Sequence, residues 1–278
     1  MRRFGLGFLI AGSVLAAGCD GNAQYLVEER LKNGLVLILP GIEGVSSYNQ
    51  DIRRGLVMAD VDRGLHIYAW GWPLPIAGML LNQVDFVGNR WQGAKIAKMI
   101  VNYQDNHPGK PVHIIGHSGG GGIAVFAAEE LPPDRKVDGL ILLSASISNG
   151  YDLTKALSHC RNGIVNFYSQ EDVGLLKIGT TIVGNVDGVH GPAAGAIGFK
   201  EPASSDSEEK RAAYVKLYGV ELSEELTEGG AHAAATRANF VWTNVAPWVT
   251  SATWPAARSV AAAAKTSIEP SRVASTGQ

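Results

Sequence analysis

Cysteine is almost missing from this chain: Cys19 and Cys160 are the only two, too few for a disulfide framework. Charge is sparse as well. Charged residues make up 18% of the 278, below the roughly one quarter of an average domain, and the formal net charge of −2 offers no basic footprint for nucleic acid. The apolar run at 4–15 falls short of the ~20 residues a membrane-spanning helix needs. No internal repeat is visible, and the lysine of a G-x-x-x-x-G-K-[ST] phosphate loop is missing. What the chain does have is apolar material, 46% of its residues, enough for the core of one α/β domain of ordinary size.

The first residues read as an export signal. Arg2 and Arg3 precede the apolar run, and Ala16-Ala17-Gly18-Cys19 follows it. Small residues before a cysteine resemble a bacterial lipobox, which implies cleavage ahead of Cys19 and lipidation of Cys19. Leu15 stands one place earlier than the usual lipobox leucine, and Ala16 takes its position; an ordinary secretory signal cleaved nearby is the alternative. The expected address is the cell envelope on the periplasmic side, with the membrane reached through the lipid anchor if Cys19 is acylated. Cys160 is then a lone thiol, read as a small buried residue with no chemical role. The expected layout is a signal peptide at 1–18, a tether at 19–24, one domain at 25–250 and a disordered Ala/Ser/Thr-rich tail at 251–278.

Periodicity places strands and helices in alternation. Residues 35–39 are a continuous apolar run, as in a strand buried on both faces; 65–70, 112–116, 137–143 and 164–168 are further, mostly apolar strands. Residues 24–31 fit a first strand or a short helix. Ser46 or Ser47 is expected to cap a helix at 48–58, and Asn89 one reaching 106. A helix at 119–131 stops at Pro132-Pro133, and a short one fits 152–160. Residues 213–222 alternate and read as a last strand; 233–249 reads as a closing helix whose last turn Pro247 disturbs. Residues 173–202 show no period, which marks a functional or flexible segment, a candidate small lid. The alternation predicts a mostly parallel sheet with helices on both faces.

The chemistry gathers at Gly116-His117-Ser118-Gly119-Gly120, a G-x-S-x-G between an apolar strand and a small-residue helix. Such a turn holds a serine on strained backbone with its Oγ clear of the sheet, and the flanking residues must be small. A glycine-rich turn binding phosphate at a helix N-terminus is the alternative.

A serine hydroxyl needs a base, and the base needs an orienting acid. Asp172 and Glu171 leave the end of a strand, where a carboxylate can point into the crevice of the elbow. Of seven histidines, His66 and His113 lie within strands, His117 is the variable residue of the elbow, and His107 and His159 sit at helix ends. His232, in a glycine-permitted turn after the last strand, and His190 remain. His113 and His117 share a strand face, yet no third metal ligand stands at convincing spacing, so no metal is expected. A pair of backbone N–H groups must receive the oxyanion: Gly119 supplies one, and the loop Leu39-Pro40-Gly41-Ile42-Glu43-Gly44 the other. Trp70, Trp72, Pro73 and Pro75 are candidates for lining a substrate pocket.

Over 35–249 these features resemble the α/β-hydrolase superfamily, in the order nucleophile, acid, histidine. The resemblance implies an α/β-hydrolase fold without a large cap domain. It implies Ser118, Asp172 and His232 as the catalytic set, Asp172 being favoured over Glu171 and His232 over His190. It implies Ile42 and Gly119 as oxyanion donors, with Glu43 as the fallback for Ile42, because Pro40 stands where the His of the His-Gly-x loop is usual. The expected activity is cleavage of a carboxylic ester, small or lipid, with no cofactor. An amidase or thioesterase, or a non-catalytic binding protein on the same scaffold, is the alternative.

Overall fold

The computed structural model describes residues 21–71, 83, 85–173, 184–223 and 231–255, with only the backbone at 172, 173 and 231. The export signal with Cys19, Trp72, Pro73 and Pro75, and the tail beyond Pro255 lie outside the described residues. Strands β1 (Leu35–Leu39), β2 (Gly64–Ile67), β3 (Val112–His117), β4 (Val137–Leu143), β5 (Cys160–Tyr168) and β6 (Leu217–Glu221) form one sheet in the order β2-β1-β3-β4-β5-β6. Every pairing is parallel.

Both faces of the sheet are covered, as the continuous apolar runs require. Side chains alternate across a strand. Leu35, Leu37 and Leu39 of β1 therefore join the core on one face, and Val36 and Ile38 join the other. The first face is closed by helices α3 (Phe86–Asn106) and α4 (Gly119–Glu129), through Ile96, Ile100, Ile123 and Phe126. The second is closed by α2 (Ser47–Met58), through Ile52 and Leu56, and by the segment around Phe240, Val241 and Val249. A 3-10 turn (Ala23–Tyr25) and the single-turn helix α1 (Glu28–Leu31) precede β1, and residues 24–31 form no strand. The chain between β4 and β5 holds only the five-residue helix α5 (Thr154–Ser158), so no cap domain is inserted there.

The strand order fixes where a site can lie. From β1 the chain crosses to β2 on one side over α2; from β2 it returns across the other face over α3 to β3, on β1's opposite edge. The loops leaving the carboxyl ends of β1 and β3 thus part from each other and open a crevice, the switch point where open α/β sheets bind ligands. The register sets Leu39 of β1 beside Gly116 of β3, so the loop after β1 faces the glycine–serine turn directly.

Several local expectations shift. Asp85, not Asn89, caps α3, its carboxylate accepting from Gly88 N at 2.9 Å; Asn89 is buried and donates to Val186 O at 3.3 Å. The expected strand at 213–222 is shorter: α7 (Glu208–Tyr214) starts on the Ser207 cap and takes its first two residues, and β6 occupies Leu217–Glu221, while the single turn Ala194–Ile197 is α6. The closing helix is broken into Ala231–Ala234, Ala238–Phe240, a π stretch Val241–Val245 and Ala246–Thr250. Pro247 has no N–H to give and its ring displaces the carbonyl one turn earlier, and the wider π turn before it absorbs both. Contacts also run past both edges expected for the domain. Asn22 donates to Ile67 O and accepts from Arg53, and Trp254 packs edge-on against Trp248 at 4.8 Å and donates to its carbonyl.

Candidate active site

Ser118 stands where β3 turns straight into α4. Its φ of 51° and ψ of −122° place a residue with a Cβ in a region such residues rarely occupy. Neighbours hold it there. Ser118 N donates to Leu143 O at 3.0 Å, and Ser118 O accepts from Gly121 N at 3.0 Å and Ser146 N at 2.9 Å. Two glycines leave room for the turn. A Cβ on Gly116 would come within 2.7 Å of Gly121 Cα, and one on Gly120 within 2.8 Å of the Leu39 carbonyl carbon. Any side chain at either position collides with backbone.

The loop after β1 meets this turn. Around the point where a Cβ on Gly119 would stand, Ile42 N lies at 3.5 Å, Ile42 Cγ2 at 2.9 Å and Trp70 Cζ2 at 3.3 Å. The expected pair of donors, Ile42 and Gly119, is therefore brought together beside Ser118. Trp70 is buried and donates from its indole N–H to Pro40 O at 2.7 Å, which pins the loop against the turn. Its burial makes it a prop for the loop rather than an open pocket wall.

Glu43 was expected to matter only through its backbone N–H, and its side chain turns out to sit in the site. A Cβ on Gly41 would meet the Glu43 carboxyl carbon at 3.0 Å and Ser118 Cβ at 3.1 Å, with Glu43 Oε2 nearer still. The other oxygen, Oε1, accepts from Ser46 Oγ at 3.3 Å and lies 3.8 Å from His117 Nδ1. Burial pushes the Glu43 pKa up; the neighbouring His117 ring, together with the residue's own backbone and the Ser46 hydroxyl, outweighs this. The carboxyl is held below its ordinary value and stays ionised. The available signal was the spacing Glu43–Ser46–Asn49. Ser46 N donates to Asn49 Oδ1 at 3.1 Å in the capping box of α2, and that box aims the Ser46 hydroxyl back at Glu43.

His232 is half-buried in the turn Ala231–Ala234, and its ring centroid lies 5.0 Å from that of His117. His117 Nε2 is 3.2 Å from the His232 carbonyl oxygen. A carbonyl only accepts, so Nε2 carries a proton and donates. His117 is 1% exposed, and Tyr48 packs edge-on against its ring at 5.5 Å. The histidine of the elbow therefore ties the turn bearing Ser118 to the turn bearing His232. Asp172 lies in the 3-10 turn Gln170–Val173 directly after β5, at the same end of the sheet; its side chain is outside the described residues. Cα atoms of this turn approach within 8 Å of those of Ala231–Ala234.

The other histidines lie elsewhere. His190 is exposed and lines a cavity of about 530 Å³ with Ser148, Tyr151, Asp187 and Lys200. His113 accepts from Arg63 Nη1 at 3.1 Å; burial, and then the Arg63 charge, push its pKa down to about 3. Among the described residues no three metal-ligating side chains cluster, and no helix is long and apolar enough to cross a membrane. Cys160 is fully buried, and desolvation pushes its thiol up to about 12.

Comparison with known proteins adds one family. The profile described as alpha/beta hydrolase fold matches residues 34–172, half of the chain. No curated protein sequence matches. Among solved structures the chain is similar to one titled "RedJ with PEG molecule bound in the active site", at 12% identity and a TM-score of 0.31, over 57% of this chain and 75% of that one. A likeness that distant carries no weight for function.

Proposed function

The chain belongs to the alpha/beta hydrolase fold family, and from that premise we propose that it is a serine hydrolase cleaving a carboxylic ester through an acyl-enzyme, with Ser118 as nucleophile, His232 as base and Asp172 as the acid. Ser118 Oγ attacks the carbonyl carbon while His232 takes its proton. The carbonyl oxygen, now negative, is received by the N–H groups of Ile42 and Gly119. The tetrahedral intermediate collapses, the ester C–O bond breaks, and His232 returns the proton to the leaving alcohol. Water, deprotonated by His232, then attacks the acyl-enzyme; Ser118 leaves with the proton and the acid is released. Asp172 holds the His232 tautomer throughout.

The observation that carries this reading is the backbone of Ser118. A serine at φ 51° costs about 1–3 kcal/mol. Here that strain presents its side chain at the switch-point crevice, beside Ile42 and Gly119. The test is covalent. A neutral fluorophosphonate probe labels Ser118 in the wild type and fails on His232→Ala; labelling undiminished in His232→Ala counts against His232 as base. Hydrolysis of matched ester, thioester and amide substrates reads the bond preference.

The same proposal places the protein outside the cytoplasm, anchored by lipid on Cys19. Arg2, Arg3, the apolar run 4–15 and Ala16-Ala17-Gly18 support it. Cys19→Ser releases the protein from the membrane fraction if this is right; unchanged membrane association rules out lipidation at that residue.

A further inference from the structure

We propose that Glu43 is a substrate-recognition residue that binds a cation, so that the preferred substrates are esters bearing an ammonium or quaternary ammonium group within a few bonds of the scissile carbonyl. The inference rests on the serine-hydrolase reading of Ser118.

The site holds an electrostatic conflict. Ester attack creates a negative oxygen next to Ser118, and the Glu43 carboxyl carbon and Ser118 Cβ flank one point, where a Cβ on Gly41 would stand, at 3.0 and 3.1 Å. A fixed negative charge there opposes the transition state of a neutral ester, and in a partly dewatered crevice the opposition is poorly screened. Among the described residues only His117, the Ser46 hydroxyl and its own backbone offset that charge. Among the described residues His117 is the only basic side chain within 4.0 Å of the carboxylate, and its Nδ1 at 3.8 Å makes no hydrogen bond. The Nε2 proton of His117 is already given to His232 O. Ser46 engages Oε1, while Oε2, turned towards Gly41, receives no hydrogen bond from another described residue.

Access and rigidity point the same way. The Glu43 side chain is 23% exposed, open enough to be reached and enclosed enough for its charge to act at short range. Its loop is held by Ser46, by the capping box and by the Trp70–Pro40 hydrogen bond, so the carboxylate is a preorganised acceptor. A cation seated against Oε2 neutralises Glu43 before the serine attacks and leaves the oxyanion facing only its donors. The charge that hinders a neutral ester thereby becomes a selector for a cationic one.

The test uses the full chain and a neutral fluorophosphonate probe, whose labelling of Ser118 needs no turnover. Choline and its uncharged isostere 3,3-dimethyl-1-butanol are compared as protectants. In the wild type choline slows labelling at concentrations about tenfold below those its isostere needs, the size of one close charge pair. Glu43→Gln abolishes that difference, and Glu43→Asp, which keeps the charge, retains part of it. Equal protection by the two compounds, protection by neither, or a choline advantage that survives Glu43→Gln overturns the assignment, and the first two of these leave His117 as the group that offsets Glu43. If the probe labels nothing in the wild type, the hydrolase reading itself has failed and the assignment falls with it.

Discussion

His117 donates from Nε2 to the backbone carbonyl of His232 at 3.2 Å, so the residue immediately before the proposed nucleophile holds the turn that carries the proposed base. His117→Phe keeps a planar ring of similar breadth and removes that bond. A net hydrogen bond is worth about 1 kcal/mol, so kcat is expected to fall about five- to tenfold with KM little changed. Steady-state kinetics on one ester checks this; a raised KM at constant kcat contradicts a positioning role.

Gly120→Ala is expected to fail structurally. Its methyl would meet Leu39 and Pro40 backbone atoms, which have no rotamer to yield with. Overpacking of this kind costs about 1–3 kcal/mol. A thermal melt is expected to show the loss together with reduced probe labelling, because the turn can relieve the clash only by moving Ser118.

His113 makes stability depend on acid. Its folded pKa is lowered to about 3, against 6.5 ordinarily. Below pH 6.5 the unfolded chain binds a proton there that the folded chain refuses, so stability falls as the pH drops from 6.5 towards 3. The slope owed to one such group is about 1.4 kcal/mol per pH unit. His113→Gln, which can still accept from Arg63, is expected to remove about that slope from denaturant-derived stabilities across the window while leaving stability above pH 7 less affected. An unchanged slope would show that other groups govern acid unfolding.

Trp254 extends the core beyond the boundary its composition suggests. It is 9% exposed, lies 5.5 Å from the Tyr218 ring and 4.8 Å from Trp248, and donates to Trp248 O at 2.8 Å. Trp254→Ala is expected to cost about 3–5 kcal/mol, the usual range for removing a large buried aromatic. Chemical denaturation reads it; a loss below 1 kcal/mol would mean that the tryptophan cluster adds little to the fold.

These contrasts show what the sequence carries and what it withholds. The central strands were legible because 35–39 is apolar without a break and 112–116 and 137–143 are apolar but for His113 and Asp138, the mark of strands buried twice. The elbow was legible because Gly116 and Gly120 stand where only glycine fits. Residues 208–222 misled: Ser207, whose hydroxyl accepts from Lys210 N, starts a helix inside what reads as a polar segment, and alternation then hides the passage from Tyr214 into β6. The closing helix misled because the π stretch needed by Pro247 leaves no trace in hydrophobic spacing. Trp254 was hidden in an Ala/Ser/Thr-rich tail, where composition outweighs one aromatic. The His117–His232 bond was not legible at all, and the Glu43 side chain only through the spacing Glu43–Ser46–Asn49, since each depends on loops from different strands meeting at the switch point.

The most direct measurement is the labelled residue itself. After reaction with a neutral fluorophosphonate probe, peptide mass spectrometry of the full chain is expected to find the adduct on Ser118, with Ser118→Ala unlabelled and its ester hydrolysis lower by several orders of magnitude, as removal of a nucleophile requires. An adduct on another residue, or a Ser118→Ala enzyme that hydrolyses esters as the wild type does, would contradict the account.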